Sequence, residues 1–343
     1  MKVGKLFYFL TIITLLIAPT YSFAEMKSDW VDGKSISYPE KQYLIGVGYG
    51  NTRETAERNS YVAISKIFSA NITSISKDYE KYSQVQSKGH NETKDEIKVE
   101  QFIEITTKRV LENVTIAETW FDSKEKVYYV LAVIDREKAG NSIKEQIRSL
   151  DSQIEEMIKK SRESTDKIQK IKNLKSATKC LIQREACNAN LRVINLLGKG
   201  IDSPFNLAGV YNELTYFLKN DFSIGVEVTG EKGGSVEAAI IEGLNKQGLF
   251  IVKKGQSEDL IVKGEIEFNE AYIHNPMFKF VRWMANFKLI DKSNDRVIGS
   301  INRSGREGHL TVTEAKERAL KTMQEDIVNE VSRKLTEFLY GND

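Results

Sequence analysis

The chain has 343 residues, 41% hydrophobic and 29% charged, with 50 Lys and Arg against 48 Asp and Glu. Two Cys and three His exclude a disulfide-rich miniprotein and leave too few soft ligands for a multi-ligand zinc site. A formal charge of +2 lacks the basic excess of a dedicated nucleic-acid binder, and the length suits two or three domains, each with its own core.

The first element is an address. Lys2 and Lys5 precede an uncharged apolar run from Leu6 to Ala18, and Ser22-Phe23-Ala24 places small residues where a signal peptidase reads. The pattern predicts a signal peptide over 1–24, cut between Ala24 and Glu25. The apolar run is short against the ~20 residues that span a bilayer. No Cys stands near the cut to accept a lipid, so the expected product is a soluble periplasmic protein, with a peripheral contact to the outer membrane left open. Lys2 and Lys5 are the only charges removed, and the remainder balances 48 basic against 48 acidic groups.

The expected fold class is α+β: two antiparallel-rich α+β domains joined by an all-helical spacer. The first domain is expected over 25–136. Tyr43–Tyr49 reads as a strand, and Asn51 with Glu54 as the cap of a helix carrying Ala56, Ser60, Ala63, Ile64, Ile67 and Phe68 at helical spacing. Residues 71–95 are polar without a clear period, and a second periodic stretch covers about 96–111. Val114–Phe121 and Val127–Ile134 read as strands around the turn Asp122–Glu125. The second is apolar without alternation, which predicts a central strand buried on both faces.

The spacer is expected over 137–203. Ile143, Ile147, Leu150, Ile154 and Met157 form a heptad seam too short for a coiled coil, so a helical hairpin is predicted, with further helix through Leu174, Leu181, Leu191 and Ile194. Residues 159–179 carry Lys159, Lys160, Arg162, Lys167, Lys170, Lys172, Lys175 and Lys179, opposed only by Glu163 and Asp166. This basic stretch is a candidate surface for an anionic glycan or lipid, or simply a solvated helix face.

The last domain is expected over 204–343 in the order β-α-β-β-β-β-α. Its strands are Phe222–Val228, Leu249–Val252, Leu260–Phe268, Val281–Leu289 and Val297–Ile301. A helix starts at Ser235, and a final amphipathic helix follows the capping box Thr311–Glu314, through Ala315, Ala319, Met323, Ile327, Val331, Leu335 and Leu339.

Candidate chemistry is sparse. Gly46-Val-Gly48-Tyr-Gly50-Asn51 lacks the third glycine of a dinucleotide loop and the lysine of a phosphate loop, so its glycines are expected to let the strand turn into the helix. Arg306, Glu307 and His309 lie close in sequence beside two glycines, as a small polar site or as a connection satisfying its own backbone. His90 and His274 lie far away. Cys180 and Cys187 would stand roughly 10 Å apart on one helix, beyond the ~7 Å bridging limit, but a turn between them would permit a disulfide. No metal or cofactor is expected.

Trp30-Val31, Pro39, Tyr43–Gly50, Thr52, Ala56, Glu118-Thr-Trp120 and Val127–Ala132 together resemble the Lpp-twenty-like lipoprotein family of bacterial envelope proteins, whose module also opens the flagellar assembly protein T group. The resemblance covers about residues 28–140. It implies a non-enzymatic role in envelope or motility assembly through protein–protein binding, and it supplies no catalytic residues. The missing lipid-accepting cysteine departs from the lipoprotein pattern. The last domain is similar in element order to envelope modules of the curli-secretion lipoprotein and synthase-activator type. The expected partner is an envelope protein, with no nucleic acid. The alternatives are glycan or lipid binding through residues 159–179, and an envelope hydrolase built around His309.

Overall fold

The computed structural model describes residues 27–86, 104–252, 257–272 and 277–341, with only the backbone described over 70–86. The signal segment with Ala24 and Glu25, and His90 and His274, lie outside these residues. The fold is α+β, with two sheets.

The first sheet comprises β1 (Tyr43–Gly50), β2 (Thr115–Asp122) and β3 (Val127–Asp135) in the antiparallel order β1-β3-β2. β3 is central and Val130–Ile134 are buried, as its unbroken apolar run predicts. A long helix, α1 (Arg53–Gln86), covers one face and continues well past the predicted Phe68. Residues 104–111 are also helical (α2). The opposite face of the sheet buries Trp30 against Leu131 and Val133, with the indole donating to Glu118 at 2.6 Å.

The glycines of β1 do something other than turn the chain. None of Gly46, Gly48 and Gly50 has a positive φ. They recur every second residue, so they share the face under α1. A Cβ on Gly48 would lie 2.1 Å from the Ser60 nitrogen and 2.2 Å from the Ala56 oxygen, and one on Gly46 would lie 2.5 Å from Ile64. The helix backbone rests directly on the strand. The cap also shifts by one residue: Thr52, rather than Asn51, receives the Thr55 N–H at 3.2 Å.

β3 passes straight into α3 (Arg136–Glu163), because the last strand residue, Asp135, is also the helix cap. A short turn leads to α4 (Lys167–Ile194), capped by Asp166, and the two helices form the predicted hairpin. The hairpin serves two cores. Ala139, Ile143, Ile147, Cys187, Leu191 and Ile194 join the first sheet's core, while Ile154, Ile158, Ile168, Ile171, Leu174 and Leu181 join the second's. Leu150 touches both.

The helix α5 (Leu207–Asn220) was not read from the sequence, although Asn206 caps it and Val210, Leu214, Phe217 and Leu218 recur at helical spacing. The second sheet has the order β4-β5-β6-β7: β4 (Ile224–Thr229), β5 (Leu260–Ala271), β6 (Lys279–Asp291) and β7 (Arg296–His309). β4 runs parallel to β5 and the remaining pairs are antiparallel. The predicted strand at 249–252 shrinks to a single bridge from Ile251 to Ile224. α6 (Gly233–Lys246) starts before Ser235, on a left-handed Lys232 that caps nothing with its side chain.

The final helix runs through α7 (Val312–Asp326), a π-helical turn (Ile327–Val331) and α8 (Ser332–Tyr340). All seven predicted apolar positions are buried. They step by four, which on an α-helix creeps about 40° per step. A π turn holds one extra residue and sets the phase back by about 100°, so the stripe stays on the sheet. The turn also brings Ser332 against α6, where a Cβ on Gly243 would lie 2.1 Å from its hydroxyl.

Candidate functional site

The segment around His309 is the tail of β7 rather than a connection between strand and helix. Strand alternation sends Arg306 to the opposite face from Glu307 and His309. The Arg306 guanidinium lies 5.9 Å from the Phe280 ring centre, Glu307 pairs with Arg318 of α7 at 3.4 Å, and His309 Nδ1 lies 2.8 Å from Glu314 Oε2. Glu314 also accepts from the Thr311 hydroxyl at 2.7 Å. These two hydrogen bonds, Thr311's first, hold the Glu314 carboxyl below the ordinary glutamate value. The three residues are therefore not assembled around one point. The nearby glycines make room for rings: a Cβ on Gly305 would lie 2.6 Å from the Trp283 indole, and one on Gly308 2.6 Å from the Phe280 ring.

The basic stretch is not one helix face. It spans the end of α3, the turn and the first half of α4, and most of its charges have local partners. Lys160 pairs with Glu156 at 2.6 Å, Lys159 with Glu163 at 4.0 Å and Arg162 with Glu213 at 3.8 Å. Lys167 reaches Asp259 at 2.9 Å and the Asp221 carbonyl at 2.7 Å, clamping the hairpin turn to the second sheet. Lys170 and Lys175 lie over the rings of Phe217 and Tyr340 at 4.5 and 5.1 Å. Lys172 and Lys179 are half-buried.

Cys180 and Cys187 are free, on one unbroken helix, and each belongs to a different core. Burial raises both thiols, Cys187 to about 11 despite the cations of Arg109 and Arg184. Neither is poised as a thiolate nucleophile.

One cluster escaped the sequence reading. Arg184 is fully buried and donates to Asp151 at 2.8 Å, Glu185 at 2.9 Å, the Ile201 carbonyl at 3.1 Å and the Asp202 carbonyl at 2.9 Å. Next to it, Asn188 accepts from the Ile201 N–H at 2.7 Å. Together they fasten α4 to α3 and to the segment leading into α5. An arginine in a lysine- and arginine-rich helix gives no local sign of such burial.

The described residues hold no group of three or more His, Cys, Asp or Glu placed to bind a metal. The seam between α6, α8 and the second sheet leaves no room for a water molecule, and its lining is wholly aliphatic, from Ile224 and Leu244 to Leu335 and Leu339. It is part of the core.

What the geometry does display is a sheet with a glycine-bearing edge strand under a long helix, a tryptophan clasped beneath it, and the rings of Tyr49, Tyr129 and Trp120 in contact along one face. Residues 28–135 match the LPP20 lipoprotein family model. The matched segment comprises β1 to β3, α1, α2 and the Trp30 segment. Among solved structures, the chain is similar to the secreted protein HP1454 of Helicobacter pylori, at 14% identity and a TM-score of 0.42, covering 85% of this chain and 98% of that one. It is also similar to a minor lipoprotein from Acinetobacter baumannii, at 10% identity and a TM-score of 0.27, covering 33% and 93%. Lipoprotein GNA1162 from Neisseria meningitidis matches at 15% identity and a TM-score of 0.24, covering 33% and 99%. No curated protein sequence matches the chain.

Proposed function

We propose that this chain is a non-enzymatic periplasmic scaffold or accessory protein of bacterial envelope or motility assembly, and that it acts by binding another envelope protein. The observation that carries the reading is the match of residues 28–135 to a lipoprotein family model. The signal-peptide pattern expected over residues 1–24 agrees with it. So does the engagement of Arg306, Glu307 and His309 in separate pairs across two faces of one strand, and no helix among the described residues is long and apolar enough to cross a membrane.

Cross-linking in intact cells, followed by affinity capture of the tagged protein, tests the reading. The expected result is one envelope protein recovered at a reproducible ratio. Recovery of this chain alone, from cells in which it is exported and folded, would overturn it.

A further inference from the structure

A sheet edge exposes a row of unpaired backbone N–H and C=O groups, and proteins guard such edges with charges, bulges, short strands or cover. Three of the four edges here are guarded. β2 slips register between Ile116 and Glu118 and carries Glu118 and Asp122. β4 has six residues and is bridged on its outer side by Ile251 and Val252. β7 carries Arg296, Arg303, Arg306 and Glu307, with a register shift opposite Leu289 and Ile290. Among the described residues, β1 has no charge, bulge or bridging segment on its outer side. Its eight residues, Tyr-Leu-Ile-Gly-Val-Gly-Tyr-Gly, include no charge and no proline, and they pair with β3 without a shift.

The direction of the free groups follows from the ladder. Arg136 N–H donates to the Gln42 carbonyl, so the even positions of β1 bond to β3 and the odd positions face away. At the two ends the outward groups are used: Tyr43 N–H donates to the Pro39 carbonyl at 2.9 Å, and Asn59 caps the Tyr49 carbonyl at 2.8 Å. Between them, no described residue bonds the outward N–H and C=O of Ile45 and Val47. Beside this edge, Tyr43, Ile45 and Val47 are half-buried on one face and Tyr49 is 64% exposed. Above the other face Asn59, Ala63 and Ile67 step by four along the flank of α1 that overhangs the edge, with Ile67 39% exposed.

We propose that β1 is a self-association edge, to which a second copy of this chain adds its own β1, antiparallel about Val47. The two three-stranded sheets then become one six-stranded sheet. Such a pairing is isologous, and it is self-complementary here. Val47 faces Val47 of the second copy, and Ile45 faces its Tyr49, a β-branched and aromatic pairing favoured across strands. Gly46 and Gly48 present no side chain on the helix side, and Ala63 and Ile67 meet the incoming α1. A charged strand would bury its charge against this neutral row, whereas a second β1 brings none.

The inference goes beyond the proposed function and fails separately from it. The test is the mass in solution, by light scattering and sedimentation, of the exported chain over a wide concentration range. Wild type is expected as a dimer. Val47→Pro removes an outward donor while leaving the β3 ladder intact, and Tyr49→Lys places a charge on the edge. Both are expected as monomers with native circular dichroism, while Thr119→Lys on the guarded β2 edge stays dimeric. If Val47→Pro fails to fold, Tyr49→Lys decides, because its side chain is largely exposed in the single chain. A monomeric wild type, or edge variants that remain dimeric, overturns the proposal. A monomer that still cross-links to an envelope protein overturns it and leaves the proposed function standing.

Discussion

The two sheets use glycine for opposite purposes. In the first, Gly46, Gly48 and Gly50 admit the backbone and short side chains of α1, so the sheet's neighbour is a helix at the closest possible approach. In the second, Gly264, Gly305 and Gly308 lie opposite Phe287, Trp283 and Phe280 on the next strand, and aromatic rings fill the space a side chain would take. Backbone cannot yield without breaking its own hydrogen bonds, whereas a ring can rotate or slide. The first sheet is therefore the less tolerant of added volume, although both look equally glycine-dotted in sequence.

The comparison presumes that the two regions fold as one body, and Arg184 is where that is most easily broken. Arg184→Ala leaves Asp151, Glu185 and two carbonyls without their shared donor at the joint between the cores. The expected cost is about 3 kcal/mol, the low end of the range for removing one partner of a buried ion pair, because Asp151 and Glu185 keep some solvent and Glu185 keeps Arg192. Urea unfolding followed separately at Trp30 and Trp283 should split into two transitions. A single coincident transition would show that the joint lies elsewhere.

The difference between the glycines is the next largest effect. Gly48→Ala is expected to cost about 3 kcal/mol, at the top of the overpacking range, because its neighbours are the Ser60 nitrogen and Ala56 oxygen. Gly305→Ala meets only the Trp283 ring and is expected to cost about 1 kcal/mol. Denaturant midpoints measure both, and equal costs would remove the distinction. Smaller still, native Cys180 and Cys187 should resist alkylation at neutral pH and both react after unfolding without reductant. The folded state holds the Cys187 thiol up to about 11 from 9.0, so its contribution to stability is complete below about pH 9 and is lost as pH rises toward 11. A fast-reacting native thiol would place one of them outside its core.

The smallest expected effect belongs to Glu314. Its depressed pKa favours the fold above the ordinary glutamate value, and that contribution fades as pH falls through the lower folded value. His309→Ala should shift the acid midpoint slightly and leave stability at neutral pH nearly unchanged. A large loss at neutral pH would contradict the exposed, local character of the pair.

Most elements were legible because their signals are local. The alternation of Leu260 to Phe268 and Val281 to Leu289, the unbroken run of β3 and the four-step stripe from Ala315 to Leu339 each state a period and a buried face. The strand at 249–252 misled, since four apolar residues after a helix fit a strand equally well whether or not a neighbour is free to pair. The polar tail of β7 misled in the other direction: Arg303 to His309 has turn-like composition, and only the pairing with β6 makes it strand. Of the candidate sites, the residues were found but not their arrangement. Arg306 and His309 are three apart, which sequence reads as near, while a strand sends residues an odd number apart to opposite faces.

The sequence alone determined the fold class, the central place of β3, the helical hairpin and the likeness of residues 28–135 to a lipoprotein family, because each is written in periodicity or in a contiguous motif. Only the tertiary structure decided what each ambiguous residue is for. It made the β1 glycines a seat for α1, divided one hairpin between two cores, buried Arg184 at their joint, spent most of the basic stretch on local partners and, among the described residues, left the middle of the β1 edge without a bonded neighbour. Those roles depend on what lies across from a residue, and neither period nor composition records a neighbour that arrives from far along the chain.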